Sequence, residues 1–115
     1  MKTRKIYRNV LIRNEAGNEL RKVKAKRVIL NSCPHRLFFA FKSDYYKLWN
    51  ITEAYSGVKV IQSFHQIPLK DVIEQANDKI KNQVPKKYRS FDEFVEDYII
   101  RENILPLRTN LKAFN

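Results

Sequence analysis

The sequence predicts an α+β domain in which a mainly antiparallel, five-stranded sheet precedes two helices packed on one face. Segments rich in β-branched and aromatic residues fill the first 64 positions, and turn-forming residues separate them. Helical spacing of apolar residues begins only after Pro68. Strands that precede the helices, rather than alternating with them, are typical of α+β domains.

The first two strands form a predicted hairpin. Residues 5–13 alternate apolar and polar side chains, and a turn follows in which Gly17 can adopt a positive φ. Residues 19–30 then resume an extended pattern. The alternation of this second strand breaks at Arg27–Val28, which indicates either a bulge or burial on both faces. A loop is expected at residues 31–35, around a proline.

Three further strands complete the predicted meander. Residues 37–42 are apolar on both faces, which is typical of a central strand. A tight turn at Ser43–Asp44 leads to a fourth strand over residues 45–53, rich in β-forming residues. A second turn containing Gly57 returns the chain as a fifth strand over residues 58–64.

Two amphipathic helices follow the sheet. Pro68 suits the first turn of a helix, and one apolar stripe comprises Leu69, Val72, Ile73, Ala76 and Ile80. Ser90 and Glu93 have the spacing of a capping box, which predicts the start of the second helix. This helix carries an acidic outer face over residues 92–97 and ends near Pro106.

Positive charge is concentrated in the first half of this predicted single domain. The net charge is +11, from 23 Lys and Arg against 12 Asp and Glu. Residues 1–50 hold 13 basic and 3 acidic side chains, whereas residues 51–115 are almost balanced. The predicted division of the domain, residues 1–115, is a basic β half over 1–64, a helical half over 65–104 and a tail over 105–115. A one-sided excess of this kind is typical of a surface that binds a polyanion.

Catalytic motifs are weak in this chain, which predicts a protein that is not an enzyme and has no cofactor or metal. The glycines, Gly17 and Gly57, are too far apart for a phosphate-binding loop. The residues suited to soft metals are Cys33, His35 and His65, so a closed zinc site would also need carboxylates. The Cys33–Pro34–His35 segment is interpreted as an ordinary loop, and a cysteine nucleophile lacks any accompanying motif.

A small metal-dependent nuclease is the enzymatic alternative, because the chain is basic and a few of its carboxylates lie outside the first hairpin turn and the acidic helix faces. The candidates for such a site are Asp44, Glu53 and Asp71. An acid in the first turn of a helix, such as Asp71, is more often explained by the helix dipole.

The residues predicted to bind a partner lie on the basic strands. Lys22, Lys24 and Lys26 alternate, so on a strand they share one face at intervals of about 6.7 Å. The full candidate set is Arg8, Arg13, Arg21, Lys22, Lys24, Lys26, Arg27, Lys42, Tyr46 and Lys47. Tyr46 is the aromatic ring of the fourth strand expected to be exposed, whereas burial is favoured for Trp49. The competing interpretation is a solvated face whose lysines protect against aggregation.

The function predicted first is a non-enzymatic binding protein that engages nucleic acid, RNA or DNA, or a nucleoprotein complex. The alternative is an inhibitor or adaptor of a phage or mobile element that binds a nucleic-acid-processing host protein such as a CRISPR-Cas effector. A homodimer in which the acidic helix meets a second copy's basic sheet is also compatible with the sequence. Because no secretory signal or membrane-spanning run is evident and the cysteine is single, a cytoplasmic location without membrane contact is expected.

Overall fold

The computed structural model describes residues 7–14, 17–43 and 47–104, and the structural statements that follow concern these residues. The strands are β1 (Tyr7–Asn14), β2 (Gly17–Val28), β3 (Phe38–Lys42), β4 (Trp49–Glu53) and β5 (Lys59–Gln62), and the helices are α1 (Leu69–Asn82) and α2 (Phe91–Arg101). The sheet order is β1-β2-β3-β4-β5, and each neighbouring pair is antiparallel. The predicted α+β architecture, a five-stranded meander followed by two packed helices, is confirmed.

The second strand changes partner along its length. Residues 17–24 pair with β1, and residues 25–28 pair with β3. The hairpin of β1 and β2 folds back so that β1 reaches the turn between β4 and β5. Leu11 of β1 consequently meets Gly57, in the turn between β4 and β5, where an added Cβ would lie 2.7 Å from the Leu11 Cβ.

Apolar side chains are buried on both sides of β3. Phe38 and Ala40 belong to the larger core, which also contains the buried faces of α1 and α2. Phe39 and Phe41 point the other way into a smaller core with Ala25 of β2. This arrangement confirms the central position predicted for the third strand.

The same two cores explain the break in alternation near the end of β2. Ala25 is buried in the smaller core, whereas Val28 and then Leu30 are buried in the larger one. Burial on both faces therefore accounts for the pattern, and Arg27 between them stays exposed. β2 pairs with β3 without a register shift, and a register irregularity lies between Ile51 and Thr52 of β4, where it pairs with β5.

The fourth strand begins later than its composition predicts. Lys47 has a φ of 53°, a left-handed conformation that is incompatible with a continuous strand, and β4 starts at Trp49. The Ser43 amide donates to the Leu48 carbonyl at 2.9 Å, and this hydrogen bond joins the end of β3 to the residue before β4. The other members of the predicted turn and strand, residues 44–46, lie outside the described residues.

The helices start where the sequence places them. Pro68 is the N-cap of α1, and Val72, Ala76 and Ile80 form its buried stripe. The Ser90 hydroxyl accepts a hydrogen bond from the Glu93 amide, which is the serine half of the predicted capping box. Neither described helix has the length and apolarity needed to cross a membrane. The predicted tail, 105–115, lies outside the described residues.

Candidate functional site

Five lysines and two aromatic rings gather on one part of the sheet. We call this group the lysine surface; its members are Tyr7, Lys22, Lys24, Lys26, Lys42, Lys47 and Trp49. All five lysines are exposed, Tyr7 is 53% exposed and Trp49 is half-buried. They surround a depression of about 560 Å³ whose lining is completed by Arg21, Val23 and Ala40. None of these lining residues is acidic, so the depression is electropositive.

The register of the sheet places Trp49 among the lysines. Lys42 and Trp49 are directly opposite each other on β3 and β4, and side chains of an opposed antiparallel pair share a face. Lys26 is opposite Ala40, whose short side chain lets Lys26 extend across β3. The Lys42 and Lys26 ammonium groups lie 5.1 and 5.8 Å from the centroid of the Trp49 ring. Both distances fall within the range of cation–π attraction.

The predicted alternation of Lys22, Lys24 and Lys26 holds in the structure, since all three lie on β2 and all three are exposed. Sequence reasoning missed Tyr7, which is directly opposite Lys24 in the hairpin. Its position depends on the hairpin register, which the amino-terminal pattern alone does not fix. Trp49 was expected to be mainly core; it packs against the larger core and also borders the lysines.

The remaining predicted binding residues are distributed differently. Arg21 also lines the depression, and its guanidinium pairs with Glu19 at 3.0 Å. Arg27 is exposed and, one residue from Lys26, belongs to the opposite phase of β2. Arg8 and Arg13 have their backbones in β1, but their side chains lie outside the described residues, as does the whole of Tyr46.

A second group of reactive side chains lies at the opposite end of β3. Cys33 and His35 come from the loop before β3, and Asp92 lies in the first turn of α2. The Cys33 Sγ is 3.8 Å from the His35 Nε2, and this nitrogen lies 2.7 and 2.8 Å from the two oxygens of Asp92. We call these three residues the Cys-His-Asp cluster. Asp92 could not be assigned to it from sequence, because packing of α2 creates the contact across 57 residues.

Arg36 holds the carboxylates around this cluster. Its Nε donates to Asp92, its Nη2 donates to Glu96 at 3.2 Å, and its Nη1 lies 3.6 Å from the Glu53 Oε2. Burial alone would lower the pKa of Arg36, but the bonds to Asp92 and Glu96 raise it above its ordinary value. The acidic face of α2, expected to be available to a second copy, is thus largely engaged within the chain, since Asp97 also accepts from the Tyr88 hydroxyl.

The Cys33 thiol is kept protonated by its surroundings. Burial raises its pKa to about 11, and the negative charges of Asp92 and Glu53 act in the same direction against the lowering effect of Arg36. One ring nitrogen of His35 faces both the thiol and the carboxylate, whereas a nucleophilic triad needs opposite nitrogens for these contacts. The cluster therefore lacks the arrangement of a cysteine nucleophile.

The carboxylates proposed for a nuclease site have different structural environments. Glu53 is fully buried, and its Oε1 accepts from the Ser56 amide and hydroxyl at 2.8 Å each. Asp71 lies in the first turn of α1, as the dipole explanation requires, and Asp44 lies outside the described residues. The hydrogen bonds from Ser56 account for the position of the Glu53 Oε1.

No family model, curated protein or solved structure matches this chain. Its function is therefore inferred from the side-chain geometry and charge of the lysine surface and of the Cys-His-Asp cluster.

Proposed function

We propose that this protein binds nucleic acid through the lysine surface, without catalysing a reaction on it. The observation that carries this proposal is the depression itself, where five exposed ammonium groups converge and no acidic side chain lines the wall. Like charges held together on one sheet repel one another, and a polyanion relieves this repulsion. A solvated protective face has no need for a concave arrangement around an aromatic ring.

The aromatic rings favour contact with bases as well as phosphates. The half-buried Trp49 is held in place by the core behind it, and Tyr7 is more than half exposed on the neighbouring hairpin. Bases of single strands stack on such rings, with about 1–3 kcal/mol per base, while lysines bind the phosphates. The lysine surface therefore suits a single strand better than a duplex, whose bases are already stacked.

The salt dependence of binding gives the first test. If each of the five lysines neutralises one phosphate, log K falls with log salt at a slope of about −3.5 for a single strand and about −4.5 for a duplex. Between 50 and 200 mM salt the single-strand affinity then falls about 130-fold. Fluorescence anisotropy with labelled single-stranded RNA, single-stranded DNA and the matching duplexes measures these slopes. Absence of binding to all of them at 50 mM salt contradicts the proposal.

Two triple variants separate the position of the charge from its amount. Lys22→Glu, Lys24→Glu and Lys26→Glu together should abolish binding while the fold is retained, since all three side chains are exposed. The matched control reverses the exposed lysines Lys70, Lys81 and Lys86, which lie outside the lysine surface. Both variants change the net charge, +11 in the wild type, by the same amount. Equal weakening by both would indicate non-specific charge attraction and contradict the assigned surface.

The chain contains a single tryptophan, so intrinsic fluorescence reports on Trp49 alone. Stacking of a base on its ring should quench this fluorescence on binding of a single strand, and less so with a duplex. If the protein instead retains an acidic protein partner after nuclease treatment and binds no nucleic acid, the lysine surface recognises protein and the proposal fails.

A further inference from the structure

The Cys-His-Asp cluster brings together three groups whose chemistry matches a transition-metal cation. The Cys33 sulphur, a ring nitrogen of His35 and a carboxylate oxygen of Asp92 all lie within 4.8 Å of one another. Sulphur and imidazole nitrogen are ligands that zinc accepts readily and that magnesium and calcium avoid. Sequence reasoning could not assign a carboxylate to such a site, and the first turn of α2 supplies Asp92.

We propose that the Cys-His-Asp cluster is a zinc-binding site, in which Cys33, His35 and Asp92 are the three protein ligands. In a tetrahedral zinc site the sulphur and nitrogen ligands lie about 3.6 Å apart and the nitrogen and oxygen ligands about 3.4 Å. The sulphur–nitrogen separation here is 3.8 Å, already close to that value. The nitrogen–oxygen separations of 2.7 and 2.8 Å are those of a direct hydrogen bond, which must open by about 0.6 Å around a metal.

The orientation of His35 places one ring nitrogen at the centre of the cluster. Its Nε2 faces the thiol and both carboxylate oxygens at once. A proton on this nitrogen accounts for the hydrogen bond to Asp92, whereas a cation placed between the three groups would contact the thiol sulphur as well. The His35 and Asp92 side chains are 59% and 42% exposed, so the ion is reachable from solvent. Water, or a donor group of a partner, would take the fourth position of the ion.

The surrounding charge also favours a cation. Three carboxylates, those of Glu53, Asp92 and Glu96, share one guanidinium, that of Arg36. The Oε2 of fully buried Glu53 has no hydrogen-bond partner among the described residues, although it faces Arg36. A locally negative group of this kind stands out in a chain with a net charge of +11. Thiol deprotonation, which zinc requires, is opposed by this negative charge and favoured once the cation is present.

Arg36 completes the site as an outer partner of the ligands. Its Nε donates to the Asp92 Oδ1, which leaves Oδ2 to bind the metal. Outer hydrogen bonds of this type fix the orientation of a ligating carboxylate. The ion would thereby connect the loop before β3 to the first turn of α2, two segments that the sheet does not join.

Untagged, metal-free protein tests the proposal directly with Zn²⁺ and Co²⁺ alone. We expect saturable binding of one Zn²⁺ per chain, release of protons on binding and a higher melting temperature. Co²⁺ should show tetrahedral ligand-field bands together with thiolate-to-metal charge-transfer absorption. Cys33→Ala, His35→Ala and Asp92→Asn should each weaken binding by about 100-fold or more, since even outer partners alter affinity 10–100-fold.

His65→Ala is the matched control, because His65 is the other histidine of the chain and is exposed outside the cluster. It should leave the affinity for Zn²⁺ unchanged. His35 is itself exposed, so His35→Ala is expected to fold, and circular dichroism checks this for each variant. Absence of charge-transfer absorption, or equal loss of affinity in His65→Ala and His35→Ala, overturns the proposal. Neither result depends on whether the lysine surface binds nucleic acid.

Discussion

Replacement of Arg36 by methionine should destabilise the fold strongly. The Arg36 side chain is 14% exposed and lies 3.6 Å from Glu53, whose side chain is fully buried. Met keeps much of the aliphatic volume but removes the cation that faces the Glu53 carboxylate. Removing one partner of a buried ion pair costs about 3–5 kcal/mol, because the remaining charge is left uncompensated in the interior. For a domain of this size that loss lowers the melting temperature by about 12–20 °C.

Arg101→Met is the matched control for Arg36→Met. Arg101 also pairs with a carboxylate of α2, that of Asp97 at 3.5 Å, but both side chains are about half exposed. Exposed pairs contribute little, so even with its contact to the Tyr98 ring the loss should stay within about 1 kcal/mol. The difference between the two arginines measures the effect of burial rather than the loss of a positive charge.

Neutralising the partner should rescue the variant. Glu53→Gln keeps an oxygen for the two hydrogen bonds from Ser56 but carries no charge. The double variant Arg36→Met with Glu53→Gln is therefore expected to be about 2 kcal/mol more stable than Arg36→Met alone. Urea denaturation followed by circular dichroism, in buffer with a metal chelator, measures the free energy of unfolding of the wild type, Arg36→Met, Arg101→Met and the double variant. The reasoning is refuted if Arg36→Met is as stable as Arg101→Met, or if the double variant is no more stable than the single one.

Two smaller changes test local features of the fold by the same denaturation assay. Gly57→Ala should cost about 2–4 kcal/mol of stability, because Gly57 has a φ of 75° and an added Cβ would meet the Leu11 Cβ at 2.7 Å. Its control is Gly17→Ala, which should cost about 1 kcal/mol, because Gly17 has a φ of 114° but an added Cβ would meet nothing within 4 Å. Equal losses of stability would disprove the close approach of β1 to Gly57. Ser90→Ala should cost about 1 kcal/mol through loss of the cap to the Glu93 amide, and Ser90→Asp should restore it; an Ala variant as stable as the wild type would show that this cap contributes nothing.

The element order could be predicted because it depends on local patterns. The apolar faces of β3 and the stripe of α1 are encoded within short segments, and so is the capping serine at position 90. Element ends were less predictable where the backbone departs from regular geometry. Lys47 is an example, because a lysine side chain does not predict the positive φ that this residue adopts.

The two sites could be predicted only in part from the sequence, because they depend on contacts between distant segments. The alternation of Lys22, Lys24 and Lys26 is visible in the sequence, but the placement of Lys42 over Trp49 depends on the register of β3 with β4. The Cys-His-Asp cluster is even harder to predict from the sequence, because the packing of α2 brings Asp92 to the loop before β3. A cysteine and histidine two residues apart predict a metal site only when a third ligand arrives from elsewhere.

The concentration of basic residues in the first 50 positions becomes, in the folded chain, a separation of charge along β3. At the Phe38 end lie Glu53 and, through Arg36, Asp92 and Glu96 of α2; at the Lys42 end lies the lysine surface. The two ends of β3 are about 13 Å apart, since a strand rises about 3.3 Å per residue. Between exposed charges a separation of this size exceeds the Debye length of about 8 Å at physiological ionic strength, so exposed carboxylates beyond the Phe38 end are largely screened from Lys42. The lysine surface therefore keeps its positive potential in solution, and a polyanion that approaches it meets attraction from the lysines with little opposing repulsion from the acidic end.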